Sequence, residues 1–123
     1  YIGNGAESYI YWNMMLPPQG VSTWGDPQNS MITIDPQKEE VIYNPDFYIM
    51  KHFSSIIQRG AVRVGIKGDF AADSLVFVNP DESVALELFN PFKARDAVQF
   101  TYGGKNYYFE LEPQSVNSIL LRK

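Results

Sequence analysis

Val98-Gln99-Phe100-Thr101-Tyr102-Gly103-Gly104-Lys105-Asn106-Tyr107-Tyr108-Phe109-Glu110 reads as a β-hairpin. A Gly-Gly pair between two alternating aromatic runs supplies the positive φ angles of a two-residue primed turn. With Gly103 and Gly104 in the turn, Tyr102 faces Lys105, Phe100 faces Tyr107 and Val98 faces Phe109. These residues share one face, and Gln99, Thr101, Tyr108 and Glu110 share the other. Turn chemistry and hydrophobic pattern select this register independently, because a slip of one residue would turn every apolar side chain to the wrong side. On this register Tyr102 and Tyr107 belong to the core, which leaves Tyr108 as the exposed ring.

The same period of two extends outward from the hairpin. Upstream, Val62, Val64 and Ile66 alternate with Arg63 and Lys67. A second strand covers residues 75–78, and Asn79-Pro80-Asp81-Glu82 is a turn into a third. There Val84, Leu86 and Leu88 alternate with Ala85, Glu87 and Phe89. Downstream, Pro113 ends the hairpin and residues 116–121 form the last strand. Short strands separated by turns predict an antiparallel β-sandwich or small barrel over residues 61–123.

Before residue 61 the pattern changes. Asn44-Pro45-Asp46 is a helix start, with Asn44 as cap, Pro45 in the first turn and Asp46 at the positive end of the dipole. Phe47, Met50, Phe53 and Ile57 recur at helical spacing, which predicts a helix over about 45–58, and Gly60 ends it. His52 lies beside that stripe and reads as a structural or solvent-facing residue. Further upstream, residues 8–16 are apolar and aromatic almost without interruption. Such a run predicts a strand over about 7–16, buried on both faces as in a parallel sheet or barrel, with its partners outside this sequence. Pro17-Pro18 ends it, and a polar loop runs to about Ser30, long enough to be functional or disordered. Residues 31–34 form a short extended piece.

The 123 residues carry a formal charge of −4 with no Lys or Arg run. Counter-ion release therefore has little to drive binding to phosphate backbones, which argues against nucleic acid as a partner. No apolar stretch approaches the roughly 20 residues of a membrane span. With no cysteine, disulfides and thiolate metal sites are excluded. The chain opens on Tyr1 rather than Met, so its start is expected to be an artificial or processed boundary. Glu39-Glu40, Asp81-Glu82 and Glu110 with Glu112 read as solvated surface, and the single His gives no basis for a Ser-His-Asp set. No catalytic residue, metal ligand or cofactor is expected within the chain.

An ordered series of short motifs is more specific. Asn4-Gly5-Ala6 precedes Tyr11-Trp12-Asn13-Met14; Trp24, Gln28-Asn29-Ser30-Met31-Ile32, Asn44-Pro45 with Tyr48, His52-Phe53-Ser54 and Gly60-Ala61-Val62-Arg63 follow. The series resembles the C-terminal third of family-30 glycoside hydrolases, which include glucosylceramidases and β-1,6-glucanases. The resemblance implies a mainly β chain: the last strand, loop and helix of a (β/α)8 barrel at residues 1–60, then an antiparallel β-sandwich at 61–123. It also implies a retaining mechanism with two carboxyl groups about 5–5.5 Å apart, both on earlier strands that fall before Tyr1. Pro17-Pro18 departs from the family pattern, which often has an acidic or amide residue there.

Under that resemblance, Trp12, Asn13 and Trp24 are the substrate-binding candidates. Trp12 matches an aromatic residue at the sugar-binding floor, near the strand end where barrel active sites lie, although a Trp in an apolar run also packs cores. Asn13 either orients a polar neighbour or ends the strand. Trp24 either lines the cleft or pins its loop, and Asn29 reads as a turn former. The implied partners are a β-glucoside or β-glucan substrate of the parent enzyme and the rest of the barrel, or self-association in its absence. A secreted or periplasmic location is implied by the resemblance alone. The competing functions are a free-standing, non-catalytic carbohydrate-binding sandwich and a purely structural interaction domain.

Overall fold

A computed structural model describes residues 1–122, which fall into two units, Tyr1–Lys51 and the remainder from His52. In the first, β1 (Met15–Leu16) lies parallel to β2 (Ile32–Asp35), which pairs antiparallel with β3 (Glu40–Tyr43). Asp35 builds the β2–β3 turn, its Oδ1 accepting from the backbone N–H of Gln37 at 3.0 Å and of Lys38 at 3.3 Å. Helix α1 (Pro45–Ile56) follows, beginning where the sequence places it and crossing from the first unit into the second. Asn44 precedes it and ties the start of the helix to its surroundings: its Nδ2 donates to the Ser30 carbonyl at 2.8 Å and to Thr33 Oγ1 at 3.0 Å.

The strand expected over residues 7–16 is ordered as a strand only at Met15–Leu16. Two causes are visible. Asn13 takes φ 68°, a left-handed conformation that breaks an extended run and that Asn tolerates better than most residues. The β1–β2 ladder begins only at Met15 opposite Ile32, and a strand is held by its ladder. Within this chain Ile10, Met14 and Met15 are exposed.

The second unit contains β4 (Val62–Val64), β5 (Ser74–Val78), β6 (Val84–Asn90), β7 (Asp96–Tyr102), β8 (Lys105–Leu111) and β9 (Ser115–Leu121). One antiparallel sheet has the order β4-β5-β6-β9, and β7-β8 form a two-stranded ribbon. The ribbon has the register read from its Gly-Gly turn: Tyr102 opposite Lys105, Phe100 opposite Tyr107, Val98 opposite Phe109. Phe100 and Phe109 pack against a core of Val76, Val84, Leu86 and Leu88. Each fully buried Leu contributes about 1.5–3 kcal/mol relative to exposure. Tyr102 shares the inward face by register yet stays exposed beside the turn, and Tyr108 points outward at 72% exposure.

Two buried asparagines close the connections. Asn79 accepts at Oδ1 from the Gln58 N–H (2.9 Å) and donates from Nδ2 to the Ile56 carbonyl (2.9 Å) and to Ser83 Oγ (2.9 Å). It thereby satisfies a carbonyl at the C-terminal end of α1, where intrahelical partners run out. Asn90 donates to the carbonyls of Ala94 (3.0 Å) and Glu112 (2.9 Å) and accepts from the Phe92 N–H (3.0 Å). The described residues are thus mainly β with one α-helix, and they contain no (β/α)8 barrel.

Candidate functional site

The three candidate residues lie in the first unit, on and beside a loop that folds back on itself. Gly20 N–H donates to the Pro17 carbonyl at 3.1 Å, and Gln28 N–H donates to the Gly20 carbonyl at 2.8 Å. Val21 bridges Pro27 in antiparallel fashion, and Gly25 N–H donates to the Ser22 carbonyl at 2.9 Å. Ser22 is buried, and its Oγ accepts from the Trp24 N–H at 3.3 Å. The segment is a miniature hairpin with Trp24 at its tip. Gly20 is required at its base: φ is +64°, and a Cβ there would sit 2.0 Å from the Gln28 carbonyl oxygen.

Asn13 connects this loop to the β1 segment. Its Nδ2 donates to Gln28 Oε1, while its carbonyl accepts from the Met31 N–H at 3.2 Å. Asn13 is thus bonded to an amide neighbour, and it lies just before β1 rather than at the end of a strand. Trp12 and Trp24 are open to solvent at 67% and 74% exposure. Gln28 and Gly20 were not singled out as site scaffold by the sequence reading. The only available signal was a glycine in a loop otherwise rich in Pro, Asn and Gln.

The electrostatics of this region are mild. The Tyr11 hydroxyl is bonded to the Asp46 side chain, and its pKa is raised, first by burial and then by the Asp46 charge. The region offers two solvent-open indoles, Trp12 and Trp24, and the bonded amide pair of Asn13 and Gln28. Among the described residues no three His, Asp or Glu side chains converge as metal ligands, and no helix is long and apolar enough to cross a membrane.

A Glu-Ser-His grouping occurs in the second unit, where Ser118 Oγ lies within 2.9 Å of both Glu87 carboxyl oxygens and 2.7 Å from His52 Nδ1. The order is wrong for a hydrolytic triad. There the imidazole stands between acid and nucleophile and takes the hydroxyl proton, whereas here the hydroxyl stands in the middle.

The fold and the first-unit loop thus define an antiparallel β-sandwich preceded by a segment that displays aromatic rings. Residues 60–119 match the family described as "Glycosyl hydrolase family 30 beta sandwich domain", and the chain carries the C-terminal β-sandwich domain of that family. Among curated proteins it is 30% identical over 82 residues to "Lysosomal acid glucosylceramidase" of Mus musculus, covering 64% of this chain. It is 28% identical over 93 residues to "Putative glucosylceramidase 4" of Caenorhabditis elegans, covering 72% of this chain. The matched parts span 16% and 18% of those two relatives. Among solved structures, the endo-beta1,6-glucanase BT3312 superposes with a TM-score of 0.86 at 24% identity over 99% of this chain and 28% of that one. SrfJ from Salmonella typhimurium superposes with a TM-score of 0.80 at 23% identity, over 91% and 26% respectively.

Proposed function

We propose that this chain is the C-terminal portion of a retaining β-glycoside hydrolase acting on β-linked glucosides, glucosylceramide-like or β-1,6-glucan-like. The observation that carries the reading is the family-30 sandwich at residues 60–119. The named activities of the relatives supply the substrate class. Trp12 serves as a stacking floor for one pyranose and Trp24 as a second wall, with Asn13 fixing the loop between them through Gln28. Indole faces match the C–H faces of a β-glucoside, and the ring N–H can bond a hydroxyl. Retaining hydrolysis needs an acid–base carboxyl and a nucleophilic carboxyl across one glycosidic bond, and both are assigned to earlier strands of the parent enzyme. The remaining barrel, or self-association where it is missing, is the proposed cover for the apolar stripe of Phe47, Met50, Phe53 and Ile57.

Kinetics of the parent enzyme test this. Trp12→Ala should lower kcat/KM on an aryl β-glucoside by roughly 5- to 150-fold, the loss of one aromatic anchor worth about 1–3 kcal/mol. Tyr108→Ala, on the sandwich, should leave it unchanged. Equal kcat/KM for the two folded variants would remove Trp12 from the sugar site. The 123-residue chain by itself should turn over no aryl β-glucoside, and turnover abolished by mutating one of its own acidic residues would refute the placement of the carboxyl pair. If the parent has no paired glutamates on strands before Tyr1, the non-catalytic carbohydrate-binding module becomes the better reading.

A further inference from the structure

Glu87 is a carboxyl in an apolar setting. It lies on β6 at 4% exposure, on the sheet face opposite the core. Its row across the sheet consists of Leu75 on β5 and Ser118 on β9. The adjoining row holds Arg63, Phe77, Ala85 and Leu120. The charged groups on this face are Arg63 and, by alternation, Arg122 just past β9, both exposed. From α1 the titratable group that faces the cluster is His52, through its bond to Ser118. Among the described residues the ion pairs are Lys38–Asp35 and Arg95–Glu112, neither of which involves Glu87.

A serine hydroxyl has one proton, and this dictates how the three groups connect. When Glu87 is ionised it only accepts, so Ser118 donates to it and His52 must present Nδ1–H to Ser118 Oγ. When Glu87 is protonated it can donate to Ser118 Oγ; with a neutral imidazole Ser118 then donates to His52 Nδ1 and the ring proton is on Nε2, whereas an imidazolium, a donor at both nitrogens, donates to Ser118 Oγ. Protons enter and leave through water, so nothing else is consumed.

We propose that Glu87, Ser118 and His52 form a pH-responsive latch between the last turns of α1 and the sheet, with the proton on Glu87 setting the direction of the hydrogen-bond chain. The latch is firmer with Glu87 protonated, because the neutral form leaves no charge in an apolar site and keeps both hydrogen bonds. Burial pushes the Glu87 pKa from an ordinary 4.5 up to about 7, against the weaker opposing effect of the Ser118 bond. A raised carboxyl pKa favours the folded state in acid. The contribution is fully present below about pH 4.5, declines as pH rises, and is gone above about pH 7.

The experiment uses the full chain and its Glu87→Gln variant, whose amide is neutral at every pH. Urea unfolding from pH 4.5 to 8 should show the wild-type folding constant falling, relative to the variant's, by roughly a hundredfold. A flat ratio overturns the latch. His52 is the only histidine, so its ring nitrogens can be read by NMR without ambiguity. At pH 8.5 the imidazole proton should be on Nδ1 in the wild-type chain, and it should leave that position in Ser118→Ala. An Nε2–H imidazole in the wild type at that pH overturns the proposed chain direction. If Glu87→Gln fails to fold, the Glu87 carboxyl ¹³C resonance of the unmutated chain decides. A midpoint near 7 supports the latch, and one near 4.5 overturns it.

Discussion

From His52 onward, Val84, Leu86 and Leu88 are almost wholly withdrawn from solvent, whereas the buried residues of Tyr1–Lys51 are Ser22, Ser30 and Asp35, all polar. Apolar side chains are nearly as frequent in the first unit: Ile10, Trp12, Met14 and Trp24 are all there, and all are exposed. The difference is one of layers. A sheet buries its apolar face only against a second layer, and the β7–β8 ribbon provides that layer for β4-β5-β6-β9. The β1-β2-β3 sheet is three-stranded, and its unit is ordered by polar stitches around turns instead: Asp35 at the β2–β3 corner, Asn44 at the helix start, Gln28 at the loop base.

A dispensable core residue would remove the contrast between the two units. Leu86→Ala should cost about 2–5 kcal/mol in urea unfolding, the lost transfer energy plus a cavity, while Ile10→Ala, at 88% exposure, should change stability by less than about 0.5 kcal/mol. Similar losses for both would mean that the first unit has a core of its own. Asn79→Ala comes next. It strips partners from the Ile56 carbonyl and the Gln58 N–H, so about 1–3 kcal/mol should be lost, with faster amide exchange at the end of α1.

Gly20→Ala sharpens the other half. Positive φ and the approach to the Gln28 carbonyl forbid a Cβ, so the miniature hairpin should open. The expected effect is about 1 kcal/mol or more locally, with quicker proteolysis within residues 20–28 and a shifted Trp24 fluorescence, while the sandwich keeps its unfolding midpoint. A coupled loss of the sandwich would show that the two units are not independent in stability. The smallest effect belongs to Arg95→Ala. Its pairing with Glu112 is more than half exposed on both sides, so less than about 1 kcal/mol should be lost, and less still in high salt.

The sequence alone determined what local chemistry can determine. Gly103-Gly104 between alternating aromatics fixed the hairpin and its register, Asn44-Pro45-Asp46 fixed the helix start, and the period of two after Ala61 fixed the sandwich strands. In each case turn or cap preference and side-chain period act within a few residues and agree. Tertiary structure decided what depends on distant partners. The run at residues 7–16 has the composition of a buried strand, yet its ladder exists only from Met15, beyond the left-handed Asn13. Trp24 sits in a closed hairpin because Gly20, Asn13 and Gln28 meet, and no periodicity announces that meeting. Glu87 has the alternation of an ordinary polar-face residue. Its burial, and its link through Ser118 to His52, come from groups 31 and 66 positions apart along the chain, brought together only when strand and helix pack.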